Sequence, residues 1–135
     1  MASVQVRYIV FDVDAAIAFY TTHLGFQLDM HPAPAFAMLS RDELRLVLSA
    51  PNTQPGGGQA MPDGSQPQPG GWNRFAILVD DLAAVVGRLR GGGVRFRNEI
   101  VTGVGGKQIL IEDPSGNPVE LFEPIRPEAR LTRSD

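Results

Sequence analysis

The chain has 135 residues, enough for one domain or for two small half-domains sharing a core. Its 43% hydrophobic and 20% charged residues are those of an ordinary globular protein, and a net charge of −3 with dispersed arginines leaves no basic stripe for nucleic acid. The absence of cysteine excludes a disulfide framework, thiolate catalysis and thiolate metal sites. The first residues, Met1 to Arg7, lack the basic start and apolar run of a signal peptide, and no window approaches the roughly 20 apolar residues that span a bilayer. These features lead us to expect a soluble, cytoplasmic protein with neither a membrane nor a nucleic-acid partner.

Residues 4–11 alternate and are rich in β-branched and aromatic side chains, which predicts a strand. Asp12 follows as a candidate N-cap, and Val13, Ala16, Ile17 and Tyr20 fall on one helical face, with Gly25 just past the helix end. Residues 26–31, 35–40 and 44–50 read as three short strands. The Gly- and Pro-rich stretch 51–71 cannot form a packed element and reads as a linker or a mobile flap. The pattern then restarts: a strand at 73–79, a helix capped by Asp80-Asp81 and running to about Arg90, the Gly91-Gly92-Gly93 stop, and strands near 94–98, 107–112 and 118–123.

Laying Asp81 on Asp12 brings the halves into register, Val10-Phe11-Asp12-Val13 against Val79-Asp80-Asp81-Leu82. The fold class is therefore α+β, with a first βαβββ module over residues 1–50, the connecting segment 51–71, a second module over 72–124 and a tail over 125–135, all forming one structural domain. Half a repeat cannot close a core, so the two must combine. Alternation assigns Val4, Val6, Tyr8, Val10, Leu44, Leu46, Leu48, Phe75, Ile77, Val79, Ile109, Ile111, Val119 and Leu121 to an apolar face under the helices. The opposite face mixes Gln5, Arg7, Arg45, Arg74, Gln108 and Glu120 with Ile, Val, Leu and Phe, the composition of a pocket lining or of a solvated or dimer-facing surface.

The strand–Asp–helix run from Val10 to Tyr20, Leu24-Gly25-Phe26, the Val79-Asp80-Asp81-Leu82 restart, the Gly-Gly-Val at 92–94, and the run Asp113-Pro114-Ser115-Gly116-Asn117-Pro118-Val119-Glu120-Leu121 carry a resemblance to a known family. Together they resemble the vicinal oxygen chelate superfamily, the group of glyoxalase I, bleomycin-resistance proteins and extradiol dioxygenases. The resemblance implies two tandem βαβββ modules forming a curled mixed sheet around a central cavity, and a homodimer. It also implies four metal-ligand positions, which fall here on Gln5, Val47, Arg74 and Glu120. Valine has no donor atom and arginine is a permanent cation, so this set is degenerate for a metal. His23 and His31 lie near element ends and do not complete it.

An arginine at a ligand position suggests that Arg74 pairs with Glu120, unless either of them contacts a ligand directly. Arg7 and Arg45 then remain as positive charge for an anionic or aromatic small molecule. Trp72 and Phe122 are candidates for an aromatic wall, and Phe36 and Met38 for wall or core. No dinucleotide or phosphate-loop fingerprint is present, and two histidines near element ends do not assemble a Ser-His-Asp triad. The resulting expectation is a metal-free, cofactor-free member of the glyoxalase/bleomycin-resistance type that binds a small organic molecule, a drug or natural product, rather than an enzyme. The alternative is a metal-dependent lyase, isomerase or dioxygenase of the same superfamily.

Overall fold

Both helices start by the same device. Asp12 and Asp81 sit in extended backbone just before the first helical residue, and each carboxylate accepts a hydrogen bond from the backbone N–H three residues on: Ala15 at 3.0 Å and Ala84 at 3.1 Å. This satisfies one of the N–H groups that a helix start leaves without an intrahelical partner. The computed structural model describes residues 4–51 and 56–125. Residues 52–55 of the Gly- and Pro-rich stretch, and the expected tail from 126 onward, lie outside the described residues.

In chain order the elements are β1 (Val4–Ile9), α1 (Val13–His23), β2 (Gln27–Ala33), β3 (Phe36–Arg41) and β4 (Leu44–Ser49), then β5 (Ala76–Leu78), α2 (Leu82–Gly91), β6 (Arg95–Phe96), β7 (Val101–Thr102), β8 (Gly106–Glu112) and β9 (Pro118–Pro124). They build an α+β fold with two mixed sheets. One has four strands in the order β1-β4-β3-β2; the other has five, β5-β9-β8-β6 with β7 also on β8. In each sheet the first strand runs parallel to the last, β1 to β4 and β5 to β9. Several expected strands are shorter in the fold: β1 stops at Ile9, β5 keeps only three residues, and β6 only two.

The chain divides into two compact units. Of the described residues, unit 1 comprises those up to Gly71 together with Asp113–Asn117, and unit 2 comprises Trp72–Glu112 and those from Pro118 onward. In unit 1 the core holds Tyr8, Val10, Leu46 and Leu48 with Ala37 and Leu39, and from α1 Val13, Ala16, Phe19 and Tyr20. Phe19 takes the buried place expected of Ile17, its ring edge-on to Tyr20 at 5.0 Å and to His23 at 5.5 Å. Val4, expected on the apolar face, is 63% exposed at the strand's start. In unit 2 the core is Ile77, Ile109, Ile111, Val119 and Leu121 with Leu82, Val86 and Leu89 of α2.

The turn between β8 and β9 is the most heavily bonded part of unit 1. Asp113 is 0% exposed, yet its carboxylate accepts four hydrogen bonds. Oδ1 takes the N–H groups of Ser115 (2.8 Å) and Asn117 (3.0 Å), while Oδ2 takes the Tyr20 hydroxyl (2.8 Å) and the Asn117 amide (3.0 Å). Buried carboxylates are tolerated only with this degree of pairing. The same turn reaches outward: Asn117 donates to the Ile9 carbonyl and accepts from the Gly70 N–H, and Ser115 Oγ accepts from the Phe11 N–H. Gly116 closes the turn at φ +86, a left-handed conformation that disfavours any Cβ.

Burial raises the ionisation of the Tyr20 hydroxyl well above the ordinary tyrosine value, and the Asp113 charge and its hydrogen bond push it further up. A value raised on folding favours the protonated form in the native state. Its stabilisation is therefore complete below the unfolded value near 10.0 and is lost progressively as pH rises beyond it. Tyr20→Phe is expected to cost about 1–3 kcal/mol in urea denaturation at neutral pH, because Asp113 loses a buried donor. Its stability is also expected to fall less than the parent's as the pH is raised above 10. Gly116→Ala is expected to cost about 1–2 kcal/mol from backbone strain alone, since no atom lies within 4 Å of the new Cβ; thermal melts measure both.

Candidate functional site

In unit 1 the face of the sheet turned away from α1 is built from three cross-strand rows. Gln5 on β1 lies beside Arg45 on β4 and Ser40 on β3; Arg7 lies beside Val47 and Met38; Ile9 lies beside Ser49 and Phe36. Arg45 sits mid-sheet. Its Nη1 contacts the Met38 sulfur at 3.7 Å, and its Nε lies 3.6 Å from Asp29 Oδ2, within ion-pair range but too long for a hydrogen bond. Asp29 is held from its other oxygen by the Ser40 hydroxyl at 3.0 Å. The Gly-rich segment folds onto the far end of this face: the Gly56 carbonyl accepts from Ser49 Oγ at 2.7 Å, and Gly57 packs directly on the Arg7 guanidinium.

In unit 2 the corresponding face carries Glu120 and Phe122 on β9, aligned with Leu110 and Gln108 on β8 and with Ala76 and Leu78 on β5. Arg74 lies just before β5 and donates Nε (3.1 Å) and Nη2 (2.9 Å) to the same oxygen, Glu120 Oε1, and Nη1 to the Trp72 carbonyl at 3.2 Å. A pair this accessible contributes on the order of 1 kcal/mol or less, so its consequence is the placement of Glu120 more than stability. A second pair lies alongside: Arg97 Nε donates to Glu112 Oε2 at 2.8 Å. The Arg97 guanidinium stacks 4.8 Å from the Trp72 ring centroid, and the indole itself is 69% exposed. Phe122 is half-buried over Gly105 and Gly106, where a Cβ on Gly106 would approach its ring to 2.9 Å.

Each expected site residue has a definite place. Arg7, Arg45, Gln5 and Val47 share one face of unit 1; Trp72, Arg74, Glu120 and Phe122 belong to unit 2, where Arg74 meets Glu120 and Trp72. Four members of these clusters were not anticipated. Glu112 is one alternation step beyond Leu110 and was accessible to the same reasoning. Asp29 lies at a register shift between Leu28 and Met30, where alternation fails. Ser40 acquires its role only through Asp29, and Arg97 follows a two-residue strand too short to show a period.

The donor set does not suit a divalent metal. Arg74 directs two N–H donors at Glu120 where a ligand atom would be needed, and Val47 is apolar and 1% exposed. His31 pairs loosely with Asp14 at 3.8 Å and His23 packs on Phe19. Among the described residues no group of three or more His, Cys, Asp or Glu side chains is arranged to hold an ion. Among them, too, no helix is long and apolar enough to cross a membrane.

Comparison with known proteins matches this architecture. The chain is 31% identical over 122 residues to CFP32 of Mycobacterium bovis and of Mycobacterium tuberculosis, proteins bearing a glyoxylase name; the match covers 85% of this chain and 42% of theirs. It thus spans less than half the length of these relatives. A solved member of the glyoxalase/bleomycin resistance protein/dioxygenase superfamily from Sphaerobacter thermophilus superposes with a TM-score of 0.71 at 25% identity, over 91% of this chain and 98% of that one. TnmS3, an antibiotic binding protein from Streptomyces sp. CB03234, superposes with a TM-score of 0.67 at 25% identity, over 89% and 93%. The family model for the Glyoxalase/Bleomycin resistance protein/Dioxygenase superfamily matches residues 3–121, and the chain belongs to that superfamily.

Proposed function

We propose that this chain binds a small organic molecule of drug or natural-product type, and that it does so without a resident metal ion and without catalysing a reaction. The observation that carries this reading is the double donation from Arg74 to Glu120 Oε1, which engages with a fixed cation the carboxylate best suited to a metal. Sequestration needs shape and charge complementarity and no reactive centre. The exposed Trp72 indole over Arg97, with Phe122 and Leu78 on the same unit, offers a flat apolar contact of the kind aromatic ligands use. The likeness to TnmS3, named as an antibiotic binding protein, supports the same direction. Assembly as a homodimer belongs to this proposal, and sedimentation at micromolar concentration checks it: a monomer would remove it.

The second reading, a metal-dependent lyase, isomerase or dioxygenase, draws on the glyoxylase name of CFP32. The two part on metal. Protein purified without chelator is expected to contain no stoichiometric metal by elemental analysis, and its melting temperature is expected not to move with nickel, zinc, manganese or iron. Stoichiometric metal, or a shift of several degrees abolished in Gln5→Ala and Glu120→Ala, would overturn the first reading. Trp72 is the single tryptophan, so its emission reports ligand directly. An aromatic antibiotic found by thermal-shift screening is expected to quench or blue-shift that emission, and Trp72→Ala to weaken its affinity several-fold.

A further inference from the structure

The two site faces differ in how their charges are paired. On unit 2 each guanidinium on the site face meets a carboxylate: Arg74 pairs with Glu120, and Arg97 and Arg95 both pair with Glu112. On unit 1 the site face carries two guanidiniums, Arg7 and Arg45, and of these Arg45 meets a carboxylate, Asp29. Arg7 has no ion pair or hydrogen bond among the described residues. Arg45 is not satisfied either: its Nε is shut off from solvent and makes no hydrogen bond, since Asp29 stands at 3.6 Å. A buried N–H left in this state costs free energy, and folded proteins keep few such groups.

The backbone around Arg7 is shaped to the guanidinium. Gly57, at φ +93, approaches so closely that a Cβ placed on it would lie 2.6 Å from Arg7 Cζ. The segment is held there by the Ser49–Gly56 hydrogen bond, and within it the Gly57 N–H donates to Gln59 Oε1 at 2.9 Å. Arg7 is thus backed by main chain on one side while its charge remains unmatched. Between the two arginines, Gln5 lies cross-strand from Arg45 and Val47 cross-strand from Arg7. Neither adds negative charge.

We propose that this face of unit 1 is an anion subsite, in which Arg7 and Arg45, with the Gln5 amide beside them, hold the carboxylate or sulfonate of a small organic acid. The inference rests on the reading that the chain binds a small organic molecule, and it adds the charge that molecule carries. An oxyanion on this face matches the unpaired charge of Arg7 and adds to the loose Asp29 pair as a counter-charge for the half-exposed Arg45 side chain. Planar guanidinium forks suit both groups.

Two fluorescent probes with one aromatic skeleton test it: anionic anilinonaphthalene sulfonate and the uncharged N-phenylnaphthylamine, titrated into the full chain. The sulfonate is expected to bind about tenfold more tightly than the neutral probe, the ratio expected of one charge-assisted hydrogen-bond set. Arg7→Gln and Arg45→Gln are each expected to remove most of that preference while leaving the neutral probe within about twofold, with Arg7→Lys retaining part of it. Arg88→Gln on α2 is expected to leave both affinities unchanged. Equal binding of the two probes to the parent chain, a preference that survives both substitutions, or an equal loss in Arg88→Gln would overturn the subsite and leave the binding reading standing. Failure of both probes to bind would count against the binding reading and the subsite together. Should Arg45→Gln not fold, Arg7→Gln decides alone, because Arg7 is exposed at the surface of β1.

Discussion

The buried carboxylate of Asp113 is the constraint on which unit 1 depends. Four donors surround it, and one of them, the Tyr20 hydroxyl, comes from a residue 93 positions away in sequence. Asn117 and Ser115 in the same turn bind the main chain at Ile9 and Phe11, 108 and 104 positions away. The turn therefore fixes three things at once: the pitch of α1, the end of β1 and the start of the helix cap. An apolar residue at 113 would be cheaper to bury, but it would leave the surrounding N–H and O–H groups without acceptors. The face of β1 that bears Gln5 and Arg7 owes its position to this joint, although neither residue touches it.

Much of the fold was legible because its signals are local and repeated. An aspartate before a periodic apolar run marks a helix start on simple hydrogen-bond grounds, and it did so twice, at Asp12 and Asp81. Alternation gave the faces of β4 and β9, and the resemblance's ligand positions set Arg74 against Glu120. What was not legible depended on geometry that breaks the period. The register shift at Asp29 turns a carboxylate onto the site face, and no two-residue rhythm reports it. Phe19 rather than Ile17 became the buried neighbour of Tyr20 because aromatic edge contacts outweighed the ideal helical stripe. β5 shortened to three residues, so Trp72 and Arg74 lie on irregular chain, free of the pleat that the pattern assumed.

The superfamily's architecture presents two similar faces, and this chain has furnished them unequally. On unit 2 every arginine on the site face has a carboxylate, and an indole covers one of the pairs. On unit 1 the Arg7 charge has no counter-charge among the described residues, with a glycine backbone laid against it. Opposite charges in contact favour themselves over an incoming ligand, whereas an unmatched one is held ready for it. The same scaffold can therefore be internally charge-paired in one half and open to an anion in the other, with the difference carried by few side chains.

That Asp113–Asn117 belongs to unit 1 while its flanking strands belong to unit 2 has a consequence for the order of events at the ribosome. The N-terminal part emerges first, with α1 and the first four strands already encoded. Until residue 117 has been synthesised, however, the Tyr20 hydroxyl lacks Asp113 and the Ile9 carbonyl lacks the Asn117 amide. The first unit is thus incomplete until the second module has been made, and is finished by a piece of chain that lies inside that module. Its folding is tied to synthesis of the second module rather than to the passage of its own first stretch, with the loop-closure delay that such remote contacts impose.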